Sequence, residues 1–195
     1  MCQAASMPRI VNSRLAYNGY AKVTVLTLAD ETGAEHFREV VSFGQSACVL
    51  PYDADRKVAL VVRLPRAPLL LHGVAANLIE APAGMIGEGE DAADAVRREA
   101  MEEAGLALTD LEPVAQCWPS PGVIAERTHL FLAPYALSDR LGPGGGLAEE
   151  HEAITVEELG LAELWRAAEA GALHDLKTFA LVLALYARRP LLFAA

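Results

Sequence analysis

The sequence predicts an α+β fold or an α/β/α sandwich, because strand-like and helix-like segments alternate along a single chain of 195 residues. Short segments rich in Val, Leu and Thr are separated by turn residues, and a few longer segments have the composition of helices. No internal repeat is visible. The length and the 53% content of hydrophobic residues are sufficient for a buried core without disulfides or a structural metal.

Strands account for most of the predicted elements. The first two form an N-terminal hairpin, since residues 30–33, Asp-Glu-Thr-Gly, are a turn sequence between them. The next two are separated by the polar residues 53–55 and are expected to be central strands of the main sheet. The predicted strands are residues 21–28, 37–43, 46–52, 57–64, 113–118, 127–135 and 152–156.

Three helices are predicted. Residues 91–104 are the clearest, because they begin with acidic residues, contain no Gly or Pro, and stop at Gly105. Residues 161–170 and 176–188 are the other two. The glycine-rich residues 142–146 are predicted to form a flexible loop.

The charge balance excludes some functions. The chain has 16 Lys and Arg against 26 Asp and Glu, a net charge of -10 that disfavours nucleic acid as a partner. The three cysteines are widely separated and lack C-x-x-C spacing, which argues against a disulfide framework or zinc site and predicts a reducing cytoplasm. The longest apolar run, residues 179–187, is shorter than the ~20 residues of a spanning helix, so no membrane association is expected.

Three carboxylates lie close together on the clearest helix. Glu99, Glu102 and Glu103 stand at positions i, i+3 and i+4, so they project from nearly one face within one turn. They would repel one another, and a bound Mg²⁺ or Mn²⁺ would remove that repulsion, since hard cations prefer oxygen ligands. Without other context, the alternative is a solvated acidic face.

The residues around these carboxylates have a distinctive spacing. Gly84 is followed after five residues by Glu90, and after seven more by residues 98–106, Arg-Glu-Ala-Met-Glu-Glu-Ala-Gly-Leu. The pattern G-x5-E-x7-R-E-U-x-E-E-x-G-U, where U is apolar, is met at every fixed position and resembles the signature of the Nudix hydrolases. So many fixed positions make a chance match far less frequent than for a lone glycine motif.

The resemblance implies a fold and a metal site. The fold is a Nudix α/β/α sandwich at residues 46–195 with an N-terminal β-hairpin extension at residues 1–45, which in relatives pairs with a second subunit to form a homodimer. Arg98 is expected to pair with Glu90. Glu80 is a further candidate residue of the site. The implied ligands of Mg²⁺ or Mn²⁺ are the backbone carbonyl of Ala83 and the carboxylates of Glu99, Glu102 and Glu103.

Motifs outside the signature narrow the subfamily. Residues 80–84 and 119–122 resemble segments of ADP-ribose pyrophosphatases, and residues 144–154 and 175–178 are similar to hydrolases acting on GDP-mannose. Where relatives carry Arg-Gln-aromatic-Arg, residues 63–66 read Arg-Leu-Pro-Arg, so Gln and the aromatic residue are missing. The candidate substrate-binding residues are Tyr20, Arg38, Arg66, Glu80 and Glu126.

The implied reaction is metal-dependent hydrolysis of the pyrophosphate bond of a nucleoside diphosphate sugar, ADP-ribose or a GDP-mannose-like compound, to a nucleoside monophosphate and a sugar phosphate. Besides Glu103, catalysis needs a proton acceptor, and Glu150 or Glu152 qualifies by its position after the glycine loop. The alternative for both is a solvated acidic loop, with Glu126 the next candidate. Two other functions remain open, a house-cleaning nucleoside triphosphate pyrophosphatase and a non-catalytic module that binds nucleotide sugars.

Overall fold

The chain divides into two units in a computed structural model that describes residues 7–74, 78–147 and 153–194. The first unit comprises Met1–Gly44 and Trp118–Arg127, and the second comprises Gln45–Cys117 and Thr128–Ala195. Trp118–Arg127 therefore groups with the N-terminal unit, although Gln45–Cys117 lies between them in the chain. The sequence did not predict this grouping.

The first unit contains a three-stranded antiparallel sheet in the order β1-β2-β3. Its strands are β1 (Arg9–Asn18), β2 (Lys22–Ala29) and β3 (Glu35–Ser42). The predicted hairpin is β2 and β3, and the Asp30 carboxylate shapes its turn by accepting hydrogen bonds from the amides of Thr32 and Ala34 at 2.8 and 3.0 Å. Strand β1 was not predicted. All of its residues are exposed, so no buried face produces an alternating pattern.

Trp118–Arg127 lies along strand β3 of this sheet. The amide of Val41 donates to the carbonyl of Val123, and the amide of Ala125 donates to the carbonyl of Val41, both at 2.8 Å. These backbone hydrogen bonds extend the edge of the sheet in the same way as a short parallel strand.

The second unit contains a six-stranded sheet in which β7, β8, β4, β5 and β9 are neighbours in that order and β6 pairs with β4. The strands are β4 (Gln45–Asp53), β5 (Val58–Arg63), β6 (Ala83–Met85), β7 (Glu112–Cys117), β8 (Arg127–Pro134) and β9 (Thr155–Gly160). The prediction is confirmed to within one residue at both ends of β4, β5, β7 and β8.

The position of the last strand was predicted wrongly. It was expected at residues 152–156 and is found at Thr155–Gly160. Its centre contains Glu157 and Glu158, which do not resemble a strand in sequence. Arg63 donates to Glu157 at 2.8 Å and Arg56 donates to Glu158 at 2.8 Å, and these ion pairs allow both acids within the sheet.

The three predicted helices are confirmed, and one short helix was not predicted. The helices are α1 (Ala67–Leu71), α2 (Ala92–Ala104), α3 (Leu161–Glu169) and α4 (Leu176–Arg188), and Leu137–Asp139 and Pro190–Phe193 form 3₁₀ turns. Among the described residues, no helix combines the length and the apolar character that crossing a bilayer requires.

The sheet of the second unit lies between two layers of helices. Alternate residues of β4 face opposite sides, as expected for a strand. Cys48, Leu50 and Tyr52 pack in one core cluster with residues of α3 and α4, and Ala47 and Val49 pack in a second cluster with residues of α2. This arrangement confirms the predicted α/β/α sandwich.

Candidate active site

Helix α2 is well defined at both ends. The Asp91 carboxylate accepts a hydrogen bond from the amide of Asp94 at 2.8 Å, which caps the first turn. Gly105 ends the helix in the left-handed conformation, with φ of 67°. Buried residues of the apolar face, including Val96 and Ala100, pack against the sheet. Their packing fixes the rotation of the helix and therefore the direction of its glutamates.

Arg98 connects the helix to the loop before it. Its guanidinium donates to Glu90 at 3.0 Å and to the backbone carbonyl of Met85 at 3.0 Å, so the predicted Arg98–Glu90 pair is confirmed. The Arg98 hydrogen bonds, with help from the Gly87 amide, hold the pKa of Glu90 below its ordinary value. Glu90 is thus ionised at neutral pH and anchors Arg98.

The same guanidinium also contacts two of the three clustered glutamates. Its Nη1 atom donates to Oε1 of Glu99 at 2.7 Å and to Oε2 of Glu102 at 3.1 Å. Arg98 therefore offsets part of the repulsion that the spacing of these carboxylates predicts, between Glu99 and Glu102.

The third glutamate and the signature glycine join the helix to β6. Glu103 is only 4% exposed, and its Oε2 accepts a hydrogen bond from the amide of Ala83 at 3.0 Å. A Cβ atom at Gly84 would overlap the carboxylate of Glu99. A side chain at position 84 would therefore displace the Glu99 carboxylate from the place it occupies beside the backbone.

The donor atoms fit a hard divalent cation. One cationic nitrogen contacts oxygens of both Glu99 and Glu102, so these carboxylates already converge on a positive charge. Glu103 lies beside Ala83, whose carbonyl would complete an all-oxygen set. Within the described parts of the chain, no three acidic, His or Cys side chains converge enough to hold a metal unaided. The carbonyl of Ala83 would be needed.

The glycine-rich residues 142–146 are held by backbone hydrogen bonds against the C-terminal end of α2. This corrects the prediction of a flexible loop. The amide of Gly145 donates to the carbonyl of Glu103 at 2.8 Å, and that of Gly146 donates to the carbonyl of Glu102 at 3.0 Å. A Cβ atom on Gly144 would overlap the backbone of Glu103. The loop thus satisfies the last carbonyls of the helix that carries the glutamates.

Glu150 and Glu152, the two candidate proton acceptors, lie outside the described residues.

A buried carboxylate brings together two of the predicted substrate-binding residues. Glu80 is 3% exposed, and its oxygens accept two hydrogen bonds from the Arg66 guanidinium at 2.8 and 2.9 Å. The Lys177 amine lies 3.8 Å from Glu80 and 2.6 Å from Asp175. Burial is the largest single influence and would lower the pKa of Lys177, but the combined effect of the surrounding groups, with Asp175 first and Glu80 contributing, raises it.

Lys177 was not singled out as a site residue from the sequence. The available signal was its place in residues 175–178, which carry one of the subfamily motifs. Its amine and the guanidinium of Arg66 form a pair of cations held around Glu80.

The remaining candidates belong to the first unit. Tyr20 is 87% exposed, with its ring 5.9 Å from that of Phe43. Arg38 and Trp118 line a largely apolar cavity of about 500 Å³ formed by β2, β3 and residues 118–125. Trp118, which sequence reasoning missed, also lies under the guanidinium of Arg127 at 5.7 Å.

Glu126 is half-buried and follows the segment that lines the cavity.

The chain is similar to a known protein family and to individual known proteins. The family described as NUDIX domain matches residues 42–177. GDP-mannose pyrophosphatase of Cronobacter sakazakii is 35% identical over 158 residues, which cover 80% of this chain and 81% of that protein. GDP-mannose pyrophosphatase of Escherichia coli O1:K1 is 33% identical over 158 residues, which again cover 80% of this chain and 81% of that protein. A crystal structure of an ADP compounds hydrolase has a TM-score of 0.76 at 16% identity, covers 95% of this chain and 96% of that one, and shares the fold.

Proposed function

The chain belongs to the Nudix family and is a pyrophosphohydrolase, and we propose that it hydrolyses a nucleoside diphosphate sugar to a nucleoside monophosphate and a sugar phosphate. The observation that carries this proposal is the convergence of Glu99 and Glu102 on the cationic Arg98, beside a Glu103 held by the amide of Ala83. GDP-mannose is the first substrate to test, since curated relatives carry that name. ADP-ribose is the second.

The reaction needs positive charge beside the diphosphate. We propose that Glu99, Glu102, Glu103 and the carbonyl of Ala83 hold Mg²⁺ or Mn²⁺, which when bound offsets the charge of the diphosphate and of the leaving phosphate. In this proposal the carboxylates of Glu99 and Glu102 leave Arg98 in part to bind the cation. Glu90 and the carbonyl of Met85 keep the guanidinium in place.

Five residues are proposed to bind or to help bind the substrate. Arg66 contacts the diphosphate, and the buried Glu80 orients its guanidinium through two hydrogen bonds. Tyr20, Arg38 and Glu126 contribute from the first unit, where the cavity beside Arg38 has apolar and aromatic walls suited to a flat ring.

The proton acceptor is proposed to be Glu150 or Glu152. A general base contributes roughly 10²-fold or more to turnover. One of Glu150→Gln and Glu152→Gln is therefore expected to lower kcat by roughly that factor at nearly unchanged KM. Normal turnover of both single variants and the double variant would move the role to Glu126.

We also propose a homodimer that works in the cytoplasm. The first unit has exposed apolar side chains on β1, including Ile10, Leu15 and Tyr17, which supports pairing with a second copy. The wide separation of the three cysteines along the chain and the absence of C-x-x-C spacing support a reducing compartment.

The function is tested by incubating the purified protein with Mg²⁺ or Mn²⁺ and a panel of GDP-mannose, ADP-ribose and nucleoside triphosphates, with identification of every product. We expect cleavage of a nucleotide sugar to a nucleoside monophosphate and a sugar phosphate. Glu103→Gln, which removes a carboxylate from the site, should lower turnover at least about 100-fold. Its circular dichroism should match that of the unaltered protein.

Three results would contradict the proposed substrate class, the proposed hydrolysis or the proposed metal site. Cleavage of nucleoside triphosphates alone would indicate a house-cleaning pyrophosphatase. Binding of a nucleotide sugar without any cleavage would indicate a binding module. Near-normal turnover of Glu103→Gln would exclude the proposed metal site.

A further inference from the structure

We infer that Thr178 is a positioning residue for the proposed metal site, acting through the backbone of residues 81–83; the inference rests on the metal site of the proposed function. Thr178 is fully buried in the first turn of α4. Its hydroxyl oxygen accepts a hydrogen bond from the amide of Ala81 at 2.7 Å. Ala81 lies two residues before Ala83, whose amide contacts Glu103.

The Thr178 hydroxyl both donates and accepts a hydrogen bond. It donates its one proton to Oδ2 of Asp175 at 2.7 Å, which leaves its lone pairs for the Ala81 amide. Asp175 is itself held in place, because its carboxylate accepts hydrogen bonds from the amide of Thr178 at 2.8 Å and from the amine of Lys177 at 2.6 Å. The start of α4 is thus one buried hydrogen-bonded network ending on Ala81.

The segment that receives this hydrogen bond is held along its length. The Cys48 thiol donates to the carbonyl of Ala81 at 3.7 Å, and burial raises the pKa of Cys48, so the sulfur keeps its proton. The carbonyl of Pro82 accepts the amide of Val49 at 3.0 Å.

Proline at position 82 makes the segment stiff. Its ring fixes its own φ, and its Cδ restricts the conformation of Ala81. A displacement of Ala81 is therefore carried to Ala83 rather than absorbed between them. Ala83 then moves relative to Glu103. The proposed metal site depends on the hydrogen bond between these two residues.

Substitutions of Thr178 separate positioning from simple stabilisation. Thr178→Val keeps the shape but loses the hydroxyl, and Thr178→Ser keeps the hydroxyl but loses a methyl group. Tyr135→Phe is the control, because Tyr135 is also buried and its hydroxyl donates to Glu158 at 2.8 Å, a contact that does not involve residues 81–83. Thr178→Val and Tyr135→Phe each remove one buried hydroxyl.

The experiment measures Mn²⁺ binding without substrate by electron paramagnetic resonance, together with kcat, KM and thermal unfolding. We expect Thr178→Val to weaken Mn²⁺ binding about 10-fold or more and to lower kcat, as for loss of a group that orients a metal ligand. Thr178→Ser should restore Mn²⁺ affinity to within about threefold. Tyr135→Phe should lower the melting temperature and leave Mn²⁺ affinity unchanged.

If Thr178→Val loses stability but binds Mn²⁺ as tightly as the unaltered protein, the inference is overturned. If this variant does not fold, hydrogen exchange of the unaltered protein replaces it. Mg²⁺ should then slow exchange in peptides covering residues 79–85 and 174–180 together, and slowing confined to α2 would overturn the inference. Protein that binds Mn²⁺ but cleaves no nucleotide sugar would contradict the proposed substrate and leave the inference standing.

Discussion

Strands β1 and β4 have similar lengths and opposite environments. All ten residues of β1 in the first unit are exposed, whereas eight of the nine residues of β4 in the second unit are buried. β4 has helices on both faces, and its side chains enter two core clusters. The second unit therefore has its own core, whereas the first unit presents apolar side chains that nothing in the described chain covers.

The second unit should be the more sensitive to a change of one atom. Gly144→Ala places a Cβ against the backbone of Glu103 at a residue with φ of 71°. We expect the free energy of unfolding to fall by about 3 kcal/mol. Activity should fall with it, because the displaced backbone carries Glu103. Chemical denaturation and turnover measure both effects.

A neighbouring glycine provides the control. A Cβ on Gly142 would meet no atom within 4 Å, and its φ is not positive. Gly142→Ala should therefore change stability by no more than about 0.5 kcal/mol. Equal stability of the Gly144 and Gly142 variants would show that the loop does not clamp α2.

A substitution on the exposed face of the first unit should change the oligomeric state and leave the stability of the core of the second unit unchanged. Leu15→Glu adds a charge to an exposed apolar residue of β1 and is expected to halve the mass measured by light scattering at micromolar concentration. Unfolding of the second unit should change by no more than about 0.5 kcal/mol. Leu191→Glu, at an exposed leucine of the second unit, should leave the mass unchanged. A fully active monomer of the unaltered protein would contradict the proposed dimer.

The smallest effect concerns an ion pair at the edge of the second unit. Hydrogen bonds from Arg56 hold the pKa of Glu158 below its ordinary value of 4.5. Because the folded pKa is lowered, the pair stabilises the fold above pH 4.5, and this contribution is lost as the pH falls through the folded pKa.

Arg56→Gln should therefore lower the melting temperature at pH 7 and flatten its decline below pH 4.5. Arg97→Gln removes the more exposed pair with Asp94 and is the control, with little effect expected at either pH. If the melting temperature of Arg56→Gln declines below pH 4.5 as steeply as that of the unaltered protein, this pair adds no pH-dependent stability.

Much of the candidate site could be predicted because its signals are local. The acidic start of α2, its glycine end and the spacing of Glu99, Glu102 and Glu103 all lie within one helix. The Arg98–Glu90 pair spans eight residues and was also predicted. Strand β1 and the true position of β9 were missed, since one has no buried face and the other contains two glutamates that ion pairs accommodate.

The glutamate-bearing helix could be predicted from the sequence because periodicity and capping act over a few residues. The α/β/α sandwich was implied by the resemblance of residues 84–106 to the Nudix signature. Which distant groups meet depends on the tertiary structure. Thr178 contacts Ala81 across 97 positions, the glycine loop closes on Glu102 and Glu103, and Trp118–Arg127 joins the first unit. Such contacts depend on how the layers pack, and a hydroxyl or glycine leaves no periodic pattern that identifies its partner.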